Sequence, residues 1–240
     1  MKKLTLDEIK ALEARHVVQT YKRQPVAFVR GSGSRLYDVD GREYLDLVSG
    51  IGVTSLGHAH PGLAAAIADQ ASTLLHTSNL YYHPLQGQVA ARLTKLSGMA
   101  RAFFANSGTE AVEGCLKFAR RYWFTQGVTT RTGFVALEHA FAGRTMGSLS
   151  VTWDEHYRTP FQPLIGPVTF VPSGDVAALK AAVTDNTAAI IAEPIQGEGG
   201  IRPLSREFAQ AINDLCQGTG ALYIADSQVG RVWRVAYGEY

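Results

Sequence analysis

The chain has 240 residues, with 23 Lys and Arg against 21 Asp and Glu and a formal charge of only +2. That length can bury a sizeable core, and the near-neutral balance gives no reason to expect nucleic acid or an anionic membrane as partner. No apolar run is long enough to span a bilayer, and Met1 to Glu13 reads as a charged helix rather than a signal peptide. The two cysteines, Cys115 and Cys216, lack metal-type spacing and read as buried thiols of a reducing compartment. The expected location is cytoplasmic.

In chain order, Thr5-Leu6-Asp7-Glu8 has the pattern of a capping box, and Ile9, Leu12, His16 and Val17 continue at helical spacing, so a helix is predicted to fade near Tyr21. Val26 to Val29, Leu36 to Asp38 and Tyr44 to Leu47 are short strand candidates, the last two joined as a hairpin by the Asp40-Gly41 turn. An irregular stretch marked by Gly50, Gly52 and Gly57 ends at His58-Ala59-His60-Pro61, where the two histidines read as hydrogen-bonding and capping residues rather than a metal pair. Pro61 suits the first turn of a helix with Ala64, Ile67, Ala71 and Leu74 on its apolar face, and a second helix runs from Leu85 to about Leu96.

Beyond this point the sequence changes character. Phe103-Phe104-Ala105 stops at Asn106-Ser107-Gly108-Thr109, and a helical pattern begins at Glu110 with Ala111, Cys115, Phe118, Ala119 and Tyr122 on one face. Small residues at a helix start direct unpaired N–H groups at whatever occupies the turn, and a phosphate is the natural guest; an ordinary capped helix has the same local pattern. Phe134 to Leu137, Val168 to Val171, Ala188 to Ala192 and Leu222 to Ala225 are predicted strands. Val176 to Val183 and Phe208 to Leu215 are predicted helices. Short apolar runs alternating with helices predict an α/β fold with a mostly parallel sheet covered on both faces. Asp226 closes the last apolar run, at the end of a buried strand where such sheets display their sites, although a carboxylate there also caps turns. The expected organisation is an N-terminal helix and hairpin segment over 1–60 and a large domain over 61–240.

Six motifs in order carry a resemblance across nearly all of the chain up to Asp226. They are Ser49-Gly50-Ile51-Gly52-Val53 with Leu56 to Pro61, His76 to Tyr82, Phe103 to Ala111, Phe141-Ala142-Gly143-Arg144-Thr145, Glu193 to Gly200, and Ile224-Ala225-Asp226. In these the chain resembles the class III aminotransferases that use pyridoxal phosphate, and among them the acetylornithine aminotransferases. The resemblance implies the aspartate-aminotransferase-like large domain (fold type I), incomplete at the C-terminus, and a homodimer with sites built from both subunits. It implies amino transfer from N-acetylornithine to 2-oxoglutarate in arginine biosynthesis. Donors such as 4-aminobutyrate, ornithine or succinyldiaminopimelate are alternatives, as is a non-catalytic remnant.

By the same resemblance, Ser107, Gly108 and Thr109 would bind the cofactor phosphate and Phe141 would cover one face of its ring. Glu193 would lie near its phenolic side, Asp226 would pair with the pyridine nitrogen, and Gln228 would stand in for a family Gln. Arg144 would grip a substrate carboxylate with its two-pronged guanidinium. Glu198 would belong to the switch that admits glutamate as well as a longer amine. Taken alone, Arg144 would read as surface charge and Phe141 as core. The sequence departs from the family at Ala142, where His is usual, and from Ser227 onward. The family's Schiff-base lysine follows the aspartate at a distance, whereas fourteen residues follow Asp226 here and none is Lys. The seven lysines (Lys2, Lys3, Lys10, Lys22, Lys95, Lys117 and Lys180) give no candidate for that role. The expectation is therefore the first part of an aminotransferase, truncated or shifted in frame near residue 227, and inactive as it stands.

Overall fold

The computed structural model describes residues 3–220, 222–225 and 234–236, the last two segments as backbone. The chain divides into two compact units, Met1–Tyr82 and His83–Tyr240.

The first unit begins with α1 (Leu6–His16). Its capping box forms as the sequence predicts: the Thr5 hydroxyl accepts from the Glu8 amide at 3.2 Å, and the Thr5 amide donates back to the Glu8 carboxylate at 2.9 Å. The helix stops at His16, short of Tyr21, because β-branched Val17 leaves in an extended conformation and Gln19 turns its amide back to the Glu13 and Val17 carbonyls. An antiparallel meander follows, β1 (Phe28–Ser32), β2 (Arg35–Asp38) and β3 (Glu43–Leu45). The expected β2–β3 hairpin is present. The first strand starts two residues later than Val26, with a bulge between Phe28 and Arg30.

The Gly-rich stretch contains one left-handed turn, α2 (Ser49–Gly52), in which Ser49, Gly50, Ile51 and Gly52 all have positive φ. Asp46 holds its entrance, accepting from the Val48 and Ser49 amides through one oxygen and from His58 Nε2 through the other at 2.6 Å. The His60 ring caps α3 (Pro61–Thr73) by accepting from the Leu63 amide. That helix forms where expected, but none of its residues is buried, so the predicted apolar face is not a core face within the described residues. Periodicity identifies side chains that share a face and says nothing of what covers them.

The second unit opens with α4 (Pro84–Ser97), which ends on left-handed Gly98. Then come α5 (Gly108–Thr125), β4 (Gly133–Leu137), α6 (Met146–Ser150), α7 (Glu155–Arg158) and β5 (Val168–Val171). The chain continues through α8 (Val176–Ala182), β6 (Thr187–Ala192), β7 (Ile195–Gln196), β8 (Arg202–Pro203), α9 (Arg206–Thr219), β9 (Leu222–Ala225) and β10 (Arg234–Ala236). The main sheet has the order β10-β9-β6-β4-β5, with β5, β4, β6 and β9 parallel and β10 antiparallel at the edge. The α/β fold with a mostly parallel sheet is thus the observed one.

Alternation along β4 sorts its side chains to two faces. Phe134 and Ala136 pack with Val112, Cys115, Leu116, Ala119 and Trp123 of α5. Val135 and Leu137 pack with Leu179 of α8 and with Phe208, Ile212 and Cys216 of α9. The buried stripe of α5 is rotated from the expected one. Phe118 is exposed and meets Phe103 edge-on at 5.2 Å, while Trp123 is buried and donates its indole N–H to the Ala188 carbonyl at 3.0 Å. Phe103 and Phe104 form no strand; they are exposed residues of the loop that leads into α5. Among the described residues no helix is long and apolar enough to cross a membrane.

Candidate active site

The start of α5 is built as its sequence requires. Ser107 is the N-cap in extended conformation, and its hydroxyl accepts from the Glu110 amide at 3.2 Å. The Glu110 carboxylate turns back to accept from the Asn106 amide at 2.6 Å. The amides of Gly108 and Thr109, in the first turn, have no acceptor available within the helix. An eighteen-residue helix adds its dipole behind them, so an anion is the complementary guest.

The loop after β4 closes on this helix start. The Thr109 hydroxyl lies 3.0 Å from that of Thr145 and also hydrogen bonds the Ser148 hydroxyl. Gly143, at φ +135°, is where the loop passes closest: a Cβ there would sit 2.3 Å from Thr109 Oγ1, so any side chain would push the loop off the helix. Next in sequence, the Arg144 guanidinium lies 3.7 Å from the centre of the Tyr157 ring and 5.4 Å from that of Phe141. Arg144 is exposed and Phe141 half-buried, so both present surface to an incoming molecule.

Phe141 ties the loop to the end of β6. Its amide donates to Glu193 Oε1 at 3.0 Å, and the Gly197 amide donates to Oε2 at 3.3 Å. Glu193 is buried, and loss of water pushes its carboxyl up to about 7 despite those two hydrogen bonds, with the nearby Glu198 charge adding to the rise. Glu198 itself is exposed. Gln196, fully buried, donates to the Glu138 carbonyl at 2.7 Å, and its Oε1 has no partner among the described residues.

Seven of the nine residues expected from sequence lie in this region: Ser107, Gly108, Thr109, Phe141, Arg144, Glu193 and Glu198. Direct contacts run from Thr109 through Thr145 to the Arg144 turn, and from Phe141 to Glu193. Asp226 and Gln228 lie outside the described residues; the strand that leads to Asp226 ends with Ala225 opposite Ala192. Sequence reasoning did not single out Glu113, Ser148 or Tyr157, and met Thr145 only as the last residue of the Phe141–Thr145 motif. The one signal available was that Thr109 and Glu113 stand four apart on a helix and so share a face.

The set fits pyridoxal phosphate: an anion-receptive helix start is tied through Thr109 and Thr145 to the turn that carries a partly exposed aromatic ring and a guanidinium, and the Glu193 carboxyl accepts from the amide of that aromatic residue. The chemistry of these groups matches the relatives the chain has. Residues 17–230 match the family model for aminotransferase class-III. The acetylornithine aminotransferase of Methanosarcina acetivorans is 45% identical over 221 residues, covering 92% of this chain and 54% of that protein. That of Methanocaldococcus jannaschii is 46% identical over 217 residues, covering 90% and 54%. Among solved structures, the ornithine aminotransferase of Toxoplasma gondii superposes with a TM-score of 0.87 at 29% identity, covering 95% of this chain and 55% of that one. The acetylornithine aminotransferase of Elizabethkingia anophelis gives 0.73 at 28% identity, covering 92% and 53%. The chain spans about half the length of the curated relatives it matches. By its sequence and its fold the chain belongs to the class III aminotransferases, a family dependent on pyridoxal phosphate.

Proposed function

We propose that this chain carries the phosphate- and ring-binding part of an aminotransferase that moves an amino group from N-acetylornithine to 2-oxoglutarate in arginine biosynthesis. The observation that carries the reading is the junction of the α5 start with the Phe141–Thr145 loop, found in a chain 45% identical to an acetylornithine aminotransferase. In this reading Gly108 and Thr109 hold the phosphate through backbone N–H groups, with Ser107 shaping the turn. Phe141 lies against the ring, and Glu193 stands at its phenolic side. Asp226 keeps a proton on the pyridine nitrogen by charge pairing, and Gln228 stands in for the family Gln at the cofactor. Arg144 orients a substrate carboxylate in two-pronged fashion, and Glu198 takes part in admitting both glutamate and the longer donor.

When bound, pyridoxal phosphate supplies the electron sink that makes the substrate α-proton labile. A homodimer in the cytoplasm is part of the proposal, as in the family resemblance. So is the inactivity of residues 1–240 alone, because none of their seven lysines is a candidate for moving that proton. An ornithine donor is the second reading, favoured by the close superposition on an ornithine aminotransferase.

The test is cofactor binding and donor turnover measured side by side. Residues 1–240 should bind pyridoxal phosphate more tightly than pyridoxal, and should form no glutamate from N-acetylornithine and 2-oxoglutarate above the free-cofactor rate. Stoichiometric borohydride fixation of the cofactor on one of the seven lysines, together with turnover, would overturn the inactivity. Equal affinity for pyridoxal phosphate and pyridoxal would overturn the phosphate site.

A further inference from the structure

Glu113 sits on α5 one turn beyond Thr109 and makes contacts that the functional reading leaves unused. Its Oε1 accepts from the Thr145 hydroxyl at 2.6 Å, from the Gly147 amide at 2.9 Å and from the Ser148 amide at 3.3 Å. One carboxylate oxygen thus gathers the start of α6 and the end of the Arg144 turn. The approach is close enough to exclude any side chain at Gly147, where a Cβ would lie 2.2 Å from Glu113 Oε2. With Gly143, excluded from bearing a side chain by Thr109 and Ser148, two glycines serve the same junction.

The direction of the hydrogen bonds follows from counting protons. An ionised carboxylate only accepts, so the Thr145 hydroxyl spends its single proton on Glu113. Toward its other neighbours Thr145 Oγ1 is then an acceptor, facing the Thr109 hydroxyl at 3.0 Å and the Ser148 hydroxyl at 2.8 Å. The Thr145 amide donates to Ser148 Oγ at 3.1 Å and, more weakly, to Thr109 Oγ1 at 3.4 Å. The Thr109 side chain is therefore a tether to the turn, and its backbone N–H is what it offers to a guest.

We propose that Glu113 is a positioning residue for the phosphate site: through Thr145 it fixes the start of α5, with Thr109, against the turn that carries Arg144. The inference rests on the phosphate reading of the helix start given above. It predicts dependence on an acceptor atom at the Oε1 position rather than on negative charge, since all three bonds go to that one oxygen.

The experiment measures, on the full chain, the ratio of affinities for pyridoxal phosphate and pyridoxal by equilibrium dialysis, with melting temperature alongside. Glu113→Ala and Thr145→Val should lower the ratio about tenfold, the effect of one lost organising hydrogen bond, while pyridoxal binding stays within about twofold of wild type. Glu113→Gln, which keeps the acceptor, should hold the ratio near the wild-type value. A scaffold role alone would lower the melting temperature and weaken both ligands equally, leaving the ratio unchanged, and that result overturns the proposal. So does a Glu113→Gln ratio as low as that of Glu113→Ala. If Glu113→Ala does not fold, Thr145→Val decides by the same criterion. Absence of any phosphate preference in the wild type overturns this proposal together with the phosphate reading, whereas a wild-type preference that all variants retain overturns this proposal alone.

Discussion

The two units of the chain are held together by different means. In Met1–Tyr82 the buried residues among those described are Asp38 and Val39, and the order comes from polar turns. The Asp38 carboxylate accepts from the Arg42 amide at 2.8 Å, the Asp40 amide at 3.0 Å and the Tyr44 hydroxyl at 3.0 Å. Asp46 gathers the Val48 and Ser49 amides and the His58 ring in the same way. In His83–Tyr240 two apolar layers sandwich strands whose residues are buried throughout, as in β4 and β6. Hydrogen-bonded turns fix local geometry but remove little apolar surface from water, so they set shape without supplying a large driving force. Leu47, Ile51, Leu75 and Leu80 in the first unit are each more than 80% exposed, which makes the contrast concrete.

The largest effect expected from this contrast is in the core of the second unit. Phe208 is 1% exposed and packs with Leu179 and Ile212, so Phe208→Ala should cost about 3–5 kcal/mol in a denaturant titration. Val39→Ala in the first unit removes fewer buried atoms and should cost clearly less. Equal losses for the two would break the comparison.

Two carboxylates, Glu193 in the second unit and Asp46 in the first, should contribute to stability with opposite pH dependence. Glu193 has its folded value raised to about 7, above the ordinary 4.5, chiefly by desolvation. Its neutral form is therefore favoured in the folded state; the contribution to stability is complete below the unfolded value and lost as pH rises through about 7. Glu193→Gln cannot ionise, so its unfolding free energy relative to wild type should rise by on the order of 2 kcal/mol between about pH 5 and pH 8. A difference independent of pH would refute the assignment. Asp46 is held below the ordinary carboxylate range by the His58 hydrogen bond first and the Ser49 and Val48 amides next. Its contribution is present above the unfolded value and lost as pH falls through the folded one. Amide exchange at Val48 and Ser49 should accelerate on acidification relative to β4, and parallel behaviour of the two would sink the contrast.

The smallest effect sharpens the reading of the first unit as a set of local devices. Thr5→Ala removes one oxygen acceptor from an exposed helix start and should cost about 1 kcal/mol, seen as fraying of α1 by amide exchange. Propagation of that loss into β2 and β3 would show that the unit is more cooperative than its burial suggests.

Much of this protein was legible in its sequence because the decisive signals are local. The Thr5 capping box, the Asp40-Gly41 hairpin, Pro61 at a helix start and the Ser107 cap each need only a few neighbouring residues, and all formed as read. The alternation of short apolar runs with helices also sufficed for the parallel sheet, since strands buried on both faces, such as β4 and β6, read as near-continuous apolar runs. What tertiary structure decided was contact between distant segments. Trp123 rather than Phe118 turned inward on α5 because its indole N–H finds the Ala188 carbonyl on β6. Glu193 departs from an ordinary carboxylate because burial strips its water and leaves only two backbone N–H groups in exchange. The junction of Glu113, Thr145, Ser148 and Thr109 joins residues more than thirty positions apart, and the physical reason for its glycines at 143 and 147 is a closeness of approach that only the folded chain creates.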